Sequence, residues 1–209
     1  MKHLSKAGFK LLKKLEGCRL QAYKDSGGVL TIGYGHTNAA GSPYIFDDMC
    51  ITQEQAEDIL RRDVVKYENV VNSCVDVRLT QWQFDALVIF CYNVGISNFS
   101  SSKLVEVLND RNFHAVPSQL RRWVHVNGKV NQGLVNRRNA EINMWLGNLA
   151  NVRNKVQHCA TMLAPFGAFG SAIINMISDA TILQITLACL VIPGVCIATY
   201  YYWHHRRGE

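Results

Sequence analysis

Two carboxylates and a hydroxyl stand close together near the amino terminus: Glu16, Asp25 and Thr31, with eight residues between the first two and five between the last two. Such a set can cleave an acetal if one carboxylic acid protonates the leaving oxygen while a second carboxylate and a hydroxyl hold a water on the opposite face. Glu16 closes the run GFKLLKKLEG (8–17), in which Phe9, Leu11, Leu12 and Leu15 recur at helical spacing and Gly17 is placed to stop the helix. A carboxylate at that position faces the negative end of the helix dipole, at a cost of roughly 0.3 to 1 kcal/mol. Stability alone would not select glutamate there. The same field favours the protonated carboxyl, the form in which a general acid works.

The elements that position the other two groups follow from the next residues. Gln21 to Lys24 suits a short strand, Asp25-Ser-Gly-Gly28 supplies turn residues, and Val29 to Tyr34 is β-prone. The spacing therefore predicts a hairpin with Asp25 at its turn and Thr31 on its second strand, both facing whatever lies over Glu16. Taken singly, Asp25 is an ordinary turn aspartate and Thr31 an ordinary β-branched strand residue.

The stretch EGCRLQAYKDSGGVLTIGYGHT (16–37) resembles the phage-type lysozymes, or endolysins, of glycoside hydrolase family 24. The matching pattern is the glutamate, the aspartate, the threonine and the strand that follows, Thr31-Ile-Gly-Tyr-Gly-His-Thr37. The resemblance continues through ITQEQAEDILRRD, LTQWQFDALVIFCYNVG and GLVNRRNAE, and so covers roughly residues 1 to 147. It implies an α+β, lysozyme-like fold of two lobes, a small β-hairpin lobe and a larger helical one, with the cleft between them. It also implies hydrolysis of the β-1,4 bond between N-acetylmuramic acid and N-acetylglucosamine in the glycan strands of peptidoglycan, with inversion at the anomeric carbon. Glu16 would be the general acid, with Asp25 and Thr31 positioning water. No metal and no cofactor is required. In the same family an Asn-Arg pair sets a guanidinium beside the catalytic acid, and Asn136-Arg137 matches it, which makes Arg137 a supporting residue of the site. Read from the residues alone, Arg137 is equally a solvated arginine or a partner for Glu141 four positions on. Tyr34, His36 and Asn93 are explained as well by packing or helix-end hydrogen bonds as by a place in the cleft.

The remaining chain supplies the scaffold. A strand is expected near Tyr44 to Phe46. Thr52-Gln-Glu-Gln55 and Thr80-Gln-Trp-Gln83 have the capping-box form, opening a long helix from Gln53 to about Val71 and a core helix ending at Asn93-Val-Gly95. Short helices are expected at Lys103–Asn109 and Pro117–Trp123, NGKVNQG (127–133) reads as a loop, and Leu134–Leu146 as the last helix of a catalytic domain spanning 1–150. The seven cysteines (Cys18, Cys50, Cys74, Cys91, Cys159, Cys189 and Cys196) form no C-x-x-C pair, and an odd count leaves one unpaired. Cys18 lies two positions from Glu16, a place for thiol control of the acid, although free cysteine is mostly a small buried residue.

Charge is uneven. Of 22 basic and 16 acidic residues, only two of each fall in 160–209, so the preceding part carries the whole +6. A basic domain suits an anionic cell envelope. Nucleic acid is not indicated, because no aromatic-basic stripe, zinc spacing or recognition helix is present. The apolar residues collect late. Thr181 to Trp203 is 23 residues without a formal charge, long enough at about 1.5 Å per residue to cross a hydrocarbon layer of about 30 Å. Tyr200–Trp203 make an interfacial aromatic cluster and His204-His-Arg-Arg207 a basic flank, in a short tail of 204–209. A transmembrane helix at 181–203 is therefore expected, preceded by an amphipathic or membrane-associated linker at 151–180 whose Met162–Ser178 segment is apolar but broken by Pro165, Gly167 and Gly170. The positive-inside rule places Arg206 and Arg207 in the cytoplasm, and with a single span the domain then lies at the periplasmic wall, anchored in the bacterial inner membrane. The first residues contain no apolar stretch of signal-peptide length. If 162–178 also inserts, both ends share the cytoplasm and access needs a membrane lesion, such as a holin-type protein makes. The chain thus reads as a membrane-anchored phage or prophage wall-degrading enzyme. The competing class is a membrane protein whose lysozyme-like domain only binds glycan, or whose tail permeabilises the bilayer.

Overall fold

The computed structural model describes residues 1–25 and 27–147. Helix α1 (Lys6–Glu16) begins at Ser5, whose hydroxyl accepts from the Gly8 amide at 3.1 Å. The Ser5 amide donates to the buried Asp85 at 3.0 Å and its hydroxyl donates to the other oxygen of that carboxylate. A Cβ on Gly8 would sit 2.9 Å from Asp85, so glycine is what lets the start of α1 come this close. The helix stops at Glu16 because Gly17 takes φ 70° and ψ 169°, a region open essentially to glycine alone.

The chain then runs through β1 (Arg19–Lys24), β2 (Leu30–Gly33) and β3 (His36–Thr37), an antiparallel sheet in that order. Tyr23 pairs with Thr31 and Thr31 with Thr37, so the expected hairpin has a third strand on the far side of β2. Segment 44–46 is not a strand. The Asn38 side chain occupies Ile45 instead, accepting from its amide at 2.6 Å and donating to its carbonyl at 3.2 Å, which leaves that peptide no sheet partner to seek. The edge of β1 is met a little later, by a bridge from Gln21 to Cys50.

Capping boxes open both long helices, α2 (Gln53–Cys74) from Thr52 and α3 (Gln81–Val94) from Thr80. Thr52→Ala and Thr80→Ala are each expected to cost about 1 kcal/mol, read as a lower urea midpoint at unchanged slope. Helix α3 is the core helix that its spacing predicts. Phe84 through Cys91 are all buried, since α1, α2 and α7 (Gln132–Trp145) surround it. Three short helices, α4 (Ile96–Ser100), α5 (Lys103–Asn109) and α6 (Val116–Arg121), connect α3 to α7. Helix α6 ends before Trp123, whose ring packs edge-on against Phe90 at 5.6 Å between centroids.

The segment read as a loop at 127–133 carries the turn and second strand of a tight hairpin, β4 (His125–Val126) and β5 (Lys129–Val130). Asn127 and Gly128 adopt φ 50° and 74°, as a two-residue hairpin turn demands. Asn131 then caps α7 by accepting from the Leu134 amide at 3.1 Å. Among the described residues no helix is long and apolar enough to cross a membrane. The expected linker, the transmembrane helix at 181–203 and the basic tail lie outside the described residues.

Candidate active site

Glu16 is delivered by the last turn of α1 with its side chain 19% exposed. Arg137, one turn into α7, reaches it with Nη2 at 2.7 Å from Oε1. The contact is an ion pair rather than a directed hydrogen bond, for Glu16 Oε1 is buried and lacks a well-aligned donor. The guanidinium is divided. Its Nε donates to Glu141 Oε1 at 3.1 Å and its Nη2 also reaches the Ile89 carbonyl at 3.3 Å. The family's partner for Arg137, the acid, and its helical partner Glu141 are thus present together.

Helical spacing identifies Glu141 only as a partner for Arg137, and its own environment is a finding of the structure. It is fully buried, and its Oε1 also accepts from Arg138 Nη2 at 2.7 Å. Arg138 is buried as well, lies over the Phe90 ring at 4.8 Å and donates to Asn93 Oδ1 at 2.7 Å. Asn93 therefore joins the cluster through Arg138. Burial pushes the Glu141 carboxyl up to about 7 against the pull of the two guanidiniums. The signal for this cluster in the sequence is the Arg-Arg-x-x-Glu spacing (137–141), which places both guanidiniums on the glutamate's face of a helix.

Asp25 and Thr31 are held on the small sheet. Asp25 is exposed, and its Oδ1 accepts from the amides of Gly27 and Val29, each at 2.8 Å, which fixes the carboxylate over the turn. Thr31 is buried in β2 and its hydroxyl donates to the Val29 carbonyl at 2.9 Å. That carbonyl also accepts from the Asp25 amide at 3.0 Å, so Val29 links the two residues. With its hydrogen committed, the Thr31 oxygen faces other partners as an acceptor. Among the described residues no hydrogen bond or ion pair joins Glu16 to Asp25 or Thr31. They occupy separate elements.

Polar contacts anchor the sheet to the helices, among them Gln53 of α2, which donates to the Tyr34 hydroxyl at 2.7 Å. Buried His36 pairs through Nδ1 with Asp63 of α2 at 2.8 Å and through Nε2 with the Pro43 carbonyl at 2.9 Å. Tyr92 of α3 donates to the Tyr34 carbonyl at 3.0 Å. His36 and Tyr34 thus have structural partners. Cys18 is a free, half-buried thiol raised by burial, a setting that disfavours the reactive thiolate.

The structure thus places Glu16 at a helix end with a shared guanidinium behind it, and Asp25 and Thr31 together on a hairpin. The phage lysozyme family matches residues 13–141, and the chain belongs to that family. It is similar to the endolysin of Bacillus phage PZA, with 46% identity over 140 residues covering 66% of this chain and 53% of that protein. The chain spans about half the length of the two Bacillus phage endolysins it matches, 53% and 54%. It is also similar to the SAR-endolysin of bacteriophage PS119, 35% identical over 132 residues, 63% of this chain and 77% of the relative. Among solved structures, the endolysin from Escherichia coli O157:H7 phage FAHEc1 superposes with TM-score 0.65 at 38% identity, covering 71% of this chain and 96% of that one. The lysozyme-like α+β fold follows from these likenesses.

Proposed function

We propose that the chain is a muramidase of phage or prophage origin that hydrolyses the β-1,4 bond between N-acetylmuramic acid and N-acetylglucosamine in peptidoglycan. Glu16 is the general acid, and the observation that carries this reading is its place at the last residue of α1 with Arg137 2.7 Å behind it. A glutamate there is unfavourable for the helix and needs another reason to be present. Asp25, held by two amides, is the base that takes a proton from water, and the Thr31 oxygen accepts the water's second hydrogen. Water attacks the anomeric carbon on the face opposite the leaving oxygen as Glu16 gives that oxygen its proton. Such a step inverts the centre, and it needs the carboxyls roughly 6.5 to 9.5 Å apart.

The expected first product is therefore the α-anomer, read by proton NMR within the first minutes of digestion of soluble glycan chains. A β-anomer would sink the inverting scheme. Failure to release any reducing end would favour a domain that only binds glycan.

The apolar 181–203 segment, with its basic flank, anchors the enzyme in the inner membrane and holds residues 1–150 against the periplasmic wall. The relatives named SAR-endolysins support a membrane-associated reading. If 162–178 also inserts, the partner required is a holin-type protein that opens the bilayer.

A further inference from the structure

We propose that Tyr92 is a positioning residue of the reaction, whose hydroxyl holds the sheet that carries Asp25 and Thr31 at the distance from Glu16 that the attacking water requires. The inference rests on the assignment of Glu16, Asp25 and Thr31 to the reaction and deepens it. The observation behind it is that one turn of α3 holds both halves of the site. Tyr92 donates to the Tyr34 carbonyl at 3.0 Å, three residues beyond Thr31. In the same turn the Ile89 carbonyl accepts from Arg137 at 3.3 Å, and Asn93 Oδ1 accepts from Arg138 at 2.7 Å.

Among the described residues no hydrogen bond or ion pair joins Glu16 to Asp25 or Thr31, so their separation is set by what stands behind them. Behind Glu16 is Arg137, 2.7 Å away, and behind Arg137 is α3. Behind Thr31 is the turn that joins β2 to β3, whose main chain meets α3 at Tyr34. Ile89, Tyr92 and Asn93, at i, i+3 and i+4, share one face of that helix. A hydrogen-bonded helix buried from Phe84 to Cys91 cannot stretch, so it serves as a rigid spacer between the guanidinium and the sheet. The water that Asp25 and Thr31 hold tolerates little error, since a displacement of roughly 1 Å can cost about 10²-fold in rate.

The other polar contacts of the sheet differ in kind. His36 with Asp63, and the Tyr34 hydroxyl with Gln53, reach α2. Among the described residues α2 gives no hydrogen bond or ion pair to Glu16 or Arg137. It does meet α1 through Lys13 and Glu57 at 2.8 Å, but both side chains are part-exposed and such a pair holds little. The Tyr92 hydroxyl, by contrast, is a dependable donor. Burial pushes its ionisation well up and the Glu16 and Asp63 carboxylates add to the effect, so it keeps its proton. Tyr67 of α2 packs against the Tyr92 ring at 4.8 Å between centroids and limits its movement.

The test is steady-state kinetics on soluble glycan chains with the full-length protein in a non-ionic detergent. It compares wild type, Glu16→Gln, Tyr92→Phe, Gln53→Ala and a protein with para-aminophenylalanine at position 92. Tyr92→Phe keeps the ring and deletes the donor. Its kcat is expected to fall about tenfold with KM within about twofold of wild type, because the loss falls on the attack of water and not on glycan binding. The amine of para-aminophenylalanine donates from the same place and is expected to return kcat to within about twofold of wild type. Gln53→Ala removes a different hydrogen bond between sheet and helices and is expected to keep the wild-type kcat. An unchanged kcat in Tyr92→Phe, an equal fall in Gln53→Ala, a change in KM alone, no recovery with the amine, or a Tyr92→Phe that does not fold overturns the positioning role. With Glu16→Gln inactive, each of these leaves the acid assignment standing. Full activity in Glu16→Gln, or none in wild type, overturns both.

Discussion

Glu16→Gln is expected to lower peptidoglycan hydrolysis by about 10²- to 10⁴-fold, the range that a positioned general acid supplies. The amide keeps the shape of the side chain and has no acidic proton to give. Arg137 keeps Glu141 as a partner at 3.1 Å, so the variant is not left with a guanidinium wholly without counter-charge. Removing a negative charge from the end of α1 also recovers roughly 0.3 to 1 kcal/mol of helix stability, which offsets part of the lost ion pair. The fold should therefore survive, and circular dichroism should match wild type while clearing of a peptidoglycan suspension stops. A variant that still clears it at more than about a tenth of the wild-type rate would show that the proton comes from elsewhere.

The parts of this site that are legible in the sequence are those set by local chemistry. Gly17 marks the end of α1 because no other residue takes its φ and ψ cheaply, and this fixes Glu16 at the helix end. The turn glycines and Asp25 fix the hairpin, and Thr52 and Thr80 fix the starts of α2 and α3 through their own side chains. The ion pair between Glu16 and Arg137 is different. Its partners lie on the first and last helices among the described residues, and resemblance to the family indicates it where periodicity does not. Burial of Glu141 and Arg138 is invisible in the sequence because it arises when α7 packs on a helix buried on all sides, and the residues of α7 show no apolar stripe that would announce it. The pair of His36 with Asp63 likewise depends on how β3 meets α2. The hairpin at Asn127-Gly128 is within reach of the sequence. Its dipeptide is a strong turn signal, but the flanking strands are two residues each and carry no alternation to read.

Glu141→Gln is expected to change how stability depends on pH, by an amount second only to the catalytic loss. The Glu141 carboxyl is raised from 4.5 to about 7 on folding, so the folded protein binds a proton there that the unfolded chain releases at lower pH. Its contribution is fully present below about pH 4.5 and is lost as pH rises through about 7. Glutamine does not titrate. Relative to the variant, wild type should lose on the order of 3 kcal/mol between about pH 4.5 and about pH 8, at about 1.4 kcal/mol for each pH unit that separates the unfolded from the folded titration. For a chain of this size that is a relative fall in Tm of roughly 6 to 12 °C, read from thermal melts of both proteins across the range. Parallel Tm curves would mean that the two guanidiniums outweigh burial and keep Glu141 ionised throughout. The variant gains stability relative to wild type as pH rises. If this is observed, Glu141 lowers stability near neutral pH, as expected for a carboxyl whose burial outweighs the pull of the two guanidiniums beside it.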